Sequence, residues 1–222
     1  MTSTTLAAVE VTTGPEPTAS VIWLHGLGAD GHDFEPAVPQ LVLPGMRALR
    51  FVFPHAPIRP ITLNGGMPMR AWYDIAQLNR HAAEDESGVR SSEALVRALI
   101  ARENERGVPT VNIVLAGFSQ GGAMALYTGT RLKEKLAGII GLSCYMPRSN
   151  HFVAEREAAN AATPIFLAHG LLDVVVALPM GEAARALLAG NGYTIEWHTY
   201  PMGHSVSAEE LLAIGKFLKR VL

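Results

Sequence analysis

Short apolar runs and longer amphipathic stretches take turns along this chain. Residues 21–24, 50–53, 111–116, 136–142, 165–168 and 194–200 are short runs dominated by Val, Ile, Leu and aromatic residues. Runs of this length, closed by Gly or Pro, predict strands. Helical patterns fall between them. Residues 92–105 place Leu95, Val96, Leu99 and Ile100 on one face, and Gly107 ends the pattern. Residues 180–189 predict a second helix. Residues 208–221 predict the last, with Leu211, Ile214, Leu218 and Val221 on one stripe and Ser207-Ala-Glu-Glu210 as a capping box at its start. Strands alternating with helices predict an α/β fold: a mostly parallel central sheet with helices on both faces. Ligands of such sheets bind beyond the carboxyl ends of the strands.

Residues 54–88 break the pattern. They carry Pro54, Pro57, Pro60, Gly65, Gly66 and Pro68 with little periodicity. A long irregular segment in a compact domain tends to be a binding loop or lid, so this stretch is expected as an excursion at the ligand end of the sheet.

Composition narrows the classes. With 222 residues, no internal repeat and no Ser/Gly linker, a single domain over 1–222 is expected. The formal net charge is −2, which gives no basic footprint for nucleic acid. One cysteine, Cys144, excludes an internal disulfide and fits a reducing compartment. The first residues lack the basic and apolar regions of a signal peptide, and no apolar run is long enough to span a bilayer. A cytoplasmic protein without integral membrane contact is the expectation.

Chemistry enters at Gly117-Phe-Ser119-Gln-Gly121, a G-x-S-x-G pattern. Alone it is a weak signal. Here a predicted strand leads in and a helical pattern, Gly122-Ala-Met-Ala-Leu-Tyr127, leads out, which is the context that puts a nucleophilic serine on a sharp turn. A serine hydroxyl needs a base, and in this fold the acid and then the histidine follow the serine. Asp173 is the only aspartate after Asp85. Of the later histidines, His151 and His169 precede it, and His198 falls inside a predicted strand. His204 stands on a loop after Pro201-Met-Gly203. The catalytic set is therefore expected to be Ser119, Asp173 and His204. The oxyanion hole needs two N–H donors, one from the residue after the nucleophile and one from the loop after an early strand. Gln120 and Leu27, within His25-Gly-Leu-Gly28, fit those places.

No metal or other cofactor is expected, since neither H-E-x-x-H nor paired cysteines occur and Asp30-Gly-His-Asp33 lacks the rest of a calcium loop. For the substrate, Ile61, Leu63, Met67 and Met69 in the irregular segment predict an acyl-binding groove, with Trp72 and Tyr73 as a wall. Local core packing is the other reading of these residues.

The chain resembles the phospholipase/carboxylesterase family of α/β-hydrolases, which holds small bacterial carboxylesterases and acyl-protein thioesterases. The resemblance rests on Leu24-His-Gly-Leu-Gly-Ala-Asp-Gly-His-Asp-Phe34, Phe53-Pro-His-Ala-Pro57, Ala71-Trp-Tyr-Asp74, Gly117-Phe-Ser-Gln-Gly-Gly-Ala123, Gly141-Leu-Ser-Cys-Tyr-Met-Pro147, His169-Gly with Asp173, and Tyr200-Pro-Met-Gly-His204. It implies an α/β-hydrolase fold without a large cap domain and the same catalytic and oxyanion residues. It also implies hydrolysis of carboxylic esters with short to medium acyl chains, or of thioesters. The partner is then a small-molecule ester or thioester, or an acylated protein, and a homodimer stays open. Lysophospholipase activity is an alternative, and a non-catalytic binding protein on this fold is another. One departure concerns the acid loop: in Asp173-Val-Val-Val176-Ala-Leu-Pro179 the proline comes later than is usual in the family.

Overall fold

The apolar runs pair into one sheet. A computed structural model describes residues 6–77 and 84–222. Its strands are β1 (Ala8–Thr12), β2 (Ala19–Leu24), β3 (Leu49–Pro54), β4 (Ile58–Ile61), β5 (Met67–Arg70), β6 (Ile113–Phe118), β7 (Gly138–Leu142), β8 (Ile165–Gly170) and β9 (Ile195–Tyr200). The helices are α1 (Val38–Leu41), α2 (Glu86–Glu105), α3 (Gln120–Gly129), α4 (Phe152–Glu155), α5 (Leu178–Gly190) and α6 (Ala208–Val221). Seven strands form the main sheet in the order β1-β3-β2-β6-β7-β8-β9. Only β1 runs antiparallel to its neighbour; the other pairs are parallel. This is the mostly parallel α/β sheet that the alternation predicted and the α/β-hydrolase fold that the resemblance implied, with no large cap domain among the described residues.

Two apolar clusters explain the continuous runs. Ile22, Leu24, Val52, Leu115, Ile139 and Leu167 face one cluster, closed by α2, α3 and α5. Their sequence neighbours Val21, Trp23, Phe51, Phe53, Val114, Ile140 and Phe166 face the other, closed by α1 and α6. Strand side chains alternate between faces, so a strand covered on both sides must be apolar at every position.

All six predicted strands are present, with shifted ends. Residues 110–112 form a 3₁₀ turn, so β6 starts at Ile113. Helix α2 begins at Glu86 rather than Ser92, because the Asp85 side chain accepts the Gly88 N–H (2.8 Å) and caps it. Several elements escaped the pattern: β1, the one-turn helices α1 and α4, and a hairpin of β4 and β5 inside the expected irregular excursion. In that hairpin Pro60 stands opposite Pro68. Two residues that cannot donate to the ladder face each other, which a free-standing hairpin tolerates. Residues 78–83 of the excursion lie outside the described residues. No described helix is long and apolar enough to cross a membrane.

The capping box of α6 closes on one side only. Ser207 Oγ accepts the Glu210 N–H (3.1 Å), but neither Glu210 carboxylate oxygen has a hydrogen-bond partner among the described residues. The side chain is fully buried. Burial pushes its carboxyl up to about 7, against a smaller opposing pull from the Ser207 backbone. Between the ordinary value of 4.5 and about 7, the folded protein keeps a proton that the unfolded chain has lost. Stability therefore falls as pH rises through that window. Glu210→Gln is expected to gain stability over the parent between pH 5 and pH 8, approaching roughly 3 kcal/mol by linkage. Urea unfolding of both proteins at the two pH values measures this, and a pH-independent difference would refute the burial of an ionising group here.

Candidate active site

Strand β6 ends in the sharp turn that the motif demands. Ser119 has φ 54° and ψ −121°, a conformation that L-residues rarely hold. The turn brings the backbone on either side close together. A Cβ at Gly121 would lie 2.1 Å from the Leu24 carbonyl oxygen, and one at Gly117 would lie 2.3 Å from the Gly121 carbonyl carbon. Only glycine fits at both places, which is the physical content of the two flanking glycines. The Ser119 N–H donates to the Leu142 carbonyl (2.8 Å), tying the turn to β7.

Three side chains far apart in sequence converge at this turn. His204 Nε2 lies 2.9 Å from Ser119 Oγ, and His204 Nδ1 lies 2.7 Å from Asp173 Oδ2. The Asp173 carboxylate is buried and anchored: its Oδ1 accepts the N–H groups of Val175 and Val176, each at 2.9 Å. With Oδ1 so occupied, Oδ2 is left for the imidazole. The Nδ1–H then donates to Oδ2, and Nε2 is free to accept the Ser119 hydroxyl proton. The Phe118 ring sits 4.7 Å from the His204 ring and limits its swing.

The delayed proline leaves this loop intact. Pro179 falls in the first turn of α5, where its missing N–H costs nothing. Sequence reasoning overlooked a brace behind the loop. His169 is buried, and its Nε2–H donates to the Val176 carbonyl (2.7 Å) while standing 3.6 Å from Asp173 Oδ2. The His-Gly step at the end of β8 was its only signal.

The expected oxyanion donors flank the serine. A Cβ at Gly26 would come 3.4 Å from Ser119 Cβ, so the loop carrying Leu27 lies against Ser119. Gln120 opens α3, whose N-terminus favours developing negative charge. Neither the Leu27 nor the Gln120 backbone N–H has an acceptor among the described residues.

The expected substrate contacts separate. Met67 is exposed on β5, and Met69 is half-buried with its sulfur 3.7 Å from the Cβ position of Gly28, beside the oxyanion loop. Trp72 is a correction. Its ring is fully buried, so it is not a wall facing the solvent side of a groove. Its indole N–H donates to the His25 carbonyl (2.9 Å), placing it beneath the loop that carries Leu27.

Other polar candidates resolve into structural roles. His198 stacks on Phe166 (5.0 Å) and contacts Glu196, as a sheet-face residue would. Cys144 is buried, and burial pushes its thiol pKa up, away from thiolate chemistry. Among the described residues, no group of three or more His, Cys, Asp or Glu is placed to hold a metal ion.

Known proteins resemble this chain in sequence and in fold. The family model described as phospholipase/carboxylesterase matches residues 6–222. The chain is 46% identical to acyl-protein thioesterase 1 of Neurospora crassa over 210 residues, covering 90% of this chain and 86% of that protein. It is 39% identical to acyl-protein thioesterase 1 of Gibberella zeae, covering 100% of this chain and 98% of that protein. Among solved structures, Arabidopsis thaliana SOBER1 superposes with a TM-score of 0.86 at 33% identity, covering 91% of this chain and 98% of that one.

Proposed function

Since the chain belongs to the phospholipase/carboxylesterase family and is a serine hydrolase of the esterase and thioesterase type, we propose that it cleaves acyl thioesters, S-acylated protein cysteines among them, through an acyl-enzyme on Ser119. The observation that carries this reading is the Ser119–His204–Asp173 relay at 2.9 and 2.7 Å in a chain whose curated relatives bear the name acyl-protein thioesterase 1. Carboxylic esters of short to medium acyl chains follow the same chemistry and form the second reading, favoured by the family description.

His204 Nε2 takes the proton as Ser119 Oγ attacks the acyl carbon. The carbonyl oxygen becomes negative, and the Leu27 and Gln120 N–H groups receive it. The carbon–sulfur bond then breaks, and the departing sulfur takes the proton from His204. A water molecule repeats the cycle on the acyl-enzyme: His204 accepts its proton, hydroxide adds to the acyl carbon, and Ser119 leaves with the proton returned. Asp173 holds the imidazole in the required tautomer and stabilises its charged form.

Apolar side chains suit an acyl substrate at this rim. Leu172 and Val174 flank the buried acid and are 67% and 92% exposed. Met69 borders the oxyanion loop on the opposite strand hairpin. The test compares kcat/KM for an S-acyl cysteine peptide and the matched O-acyl serine peptide, over a series of chain lengths, with fluorophosphonate labelling of Ser119 as the active-site count. The thioester is expected to turn over faster. Turnover of the oxygen ester alone would leave a carboxylesterase, and failure of the probe to label Ser119 would overturn both readings.

A further inference from the structure

The two oxyanion donors come from distant parts of the chain, yet a single strap joins them. The Trp72 indole N–H donates to the His25 carbonyl (2.9 Å), and the Trp72 backbone N–H donates to Gln120 Oε1 (2.8 Å). Gln120 Nε2 returns a bond to the Tyr73 carbonyl (2.7 Å). Two residues before Trp72, the Arg70 carbonyl accepts the Gly28 N–H (2.9 Å). The strap is itself held from behind, where Ser92 Oγ donates to the Trp72 carbonyl. Residues 70–73 thus grip the loop that bears Leu27 on one side and the side chain of Gln120 on the other.

His25 sets the angle of the Leu27 donor. Its Nε2 lies 3.0 Å from the Ala56 N–H, and its Nδ1 lies 2.7 Å from the Gly26 carbonyl. A backbone N–H can only donate and a carbonyl can only accept. Nε2 is therefore the bare nitrogen, and Nδ1 carries the proton. The Gly26 carbonyl and the Leu27 N–H belong to one planar trans peptide, in which the two groups point in opposite directions. Pulling the carbonyl toward His25 aims the N–H the other way. The Ala29 N–H also reaches that carbonyl, at a longer 3.3 Å, and supports the same orientation. Burial lowers the His25 pKa below the ordinary imidazole value, which keeps the bare nitrogen available to Ala56.

We propose that His25 and Trp72 are positioning residues for the oxyanion hole, holding the Leu27 peptide and Gln120 in one bonded frame so that both N–H groups converge on the oxygen that becomes negative when Ser119 attacks. This rests on the reaction assigned above to Ser119, Leu27 and Gln120. Both side chains are buried, and neither touches the reacting atoms in this role. They act by removing the freedom of the donors, and a displaced donor loses more in the transition state than in the ground state.

Trp72→Phe removes one N–H and keeps an aromatic ring; His25→Gln alters both imidazole bonds. Each is expected to lower kcat by about 10- to 100-fold, less than or comparable to the loss of a donor outright, with KM little changed. The affinity for an alkyl boronic acid, which forms a tetrahedral adduct with the serine, should fall by the same factor as kcat/KM. A merely structural role would not link these two quantities. An unchanged kcat, or a raised KM alone, in folded variants would overturn the proposal.

Two controls keep the outcome readable. Ser119→Ala is assayed in parallel. If it abolishes turnover while Trp72→Phe and His25→Gln do not lower it, only the positioning role fails. If Ser119→Ala remains active, the underlying reaction fails, and this role with it. The unaltered protein gives a reading that needs no variant: ¹⁵N NMR should show the His25 ring as the Nδ1–H tautomer at pH 7. An Nε2–H tautomer or a charged ring there would refute it.

Discussion

Ser119→Ala is expected to lower kcat by about 10⁶-fold if the catalytic group acts as a unit, with the fold retained. The expectation follows from what stays behind. Asp173 still orients His204, and the two N–H groups still face the carbonyl, but no atom remains at 2.9 Å from His204 Nε2 to form the acyl bond. Water must attack directly, without the entropic advantage of a bound nucleophile. Alanine keeps a Cβ and meets the same backbone strain at φ 54°, so the turn itself loses little. Its thermal midpoint should stay near that of the parent, and fluorophosphonate labelling should vanish. Residual turnover within a few-fold of the parent, in a preparation free of other esterases, would point to another nucleophile.

Asp173→Asn is expected to cost about 10⁴-fold in kcat, through the wrong tautomer rather than through a lost fold. The geometry fixes which way the amide turns. The Val175 and Val176 N–H groups both donate to Oδ1, so an oxygen must stay there. The amide nitrogen then takes the place of Oδ2, 2.7 Å from His204 Nδ1, and presents a proton to it. His204 must offer a bare Nδ1 and carry its proton on Nε2, where it can no longer accept from Ser119. The variant should bind a substrate analogue nearly as well as the parent while kcat collapses. A loss below about tenfold, far short of that tautomer penalty, would mean that the acid does not set the imidazole's protonation. Alanine at the same position is a poorer test, because it also releases the two loop amides.

The backbone pattern made most of the sheet legible. Apolar runs of four to seven residues could be read as strands because both sheet faces are covered, which leaves little polar interruption. The hairpin of β4 and β5 stayed hidden for the opposite reason. It stands outside the main sheet, has strands of only four residues, and carries Pro60 and Pro68 in register. Helix α2 was read six residues short because its first turn is capped by Asp85 rather than marked by apolar spacing.

The site was legible in its chemistry and not in its supports. Gly117 and Gly121 stand where a Cβ has no room, so the turn at Ser119 is written into neighbouring residues. The order of serine, acid and histidine then left few candidates. Trp72 could not be placed by such reasoning. A tryptophan between a hairpin and a helix serves equally as a groove wall or as a buried prop, and only the bond to the His25 carbonyl separates the two. His169 drops out as a base because it precedes Asp173, and only its bond to the Val176 carbonyl places it behind the acid.

By itself, then, the sequence determined the α/β layering, the strained serine turn and the short set of residues able to complete its chemistry. These are matters of local periodicity, of space around single residues and of residue type. Tertiary structure alone decided that His204 meets Ser119 across 85 positions, that Asp173 spends one oxygen on its own loop, and that Trp72 bonds both the His25 carbonyl and the Gln120 side chain. Such contacts depend on how strands register and where loops return, which many distant packing terms set together and no single stretch of chain records.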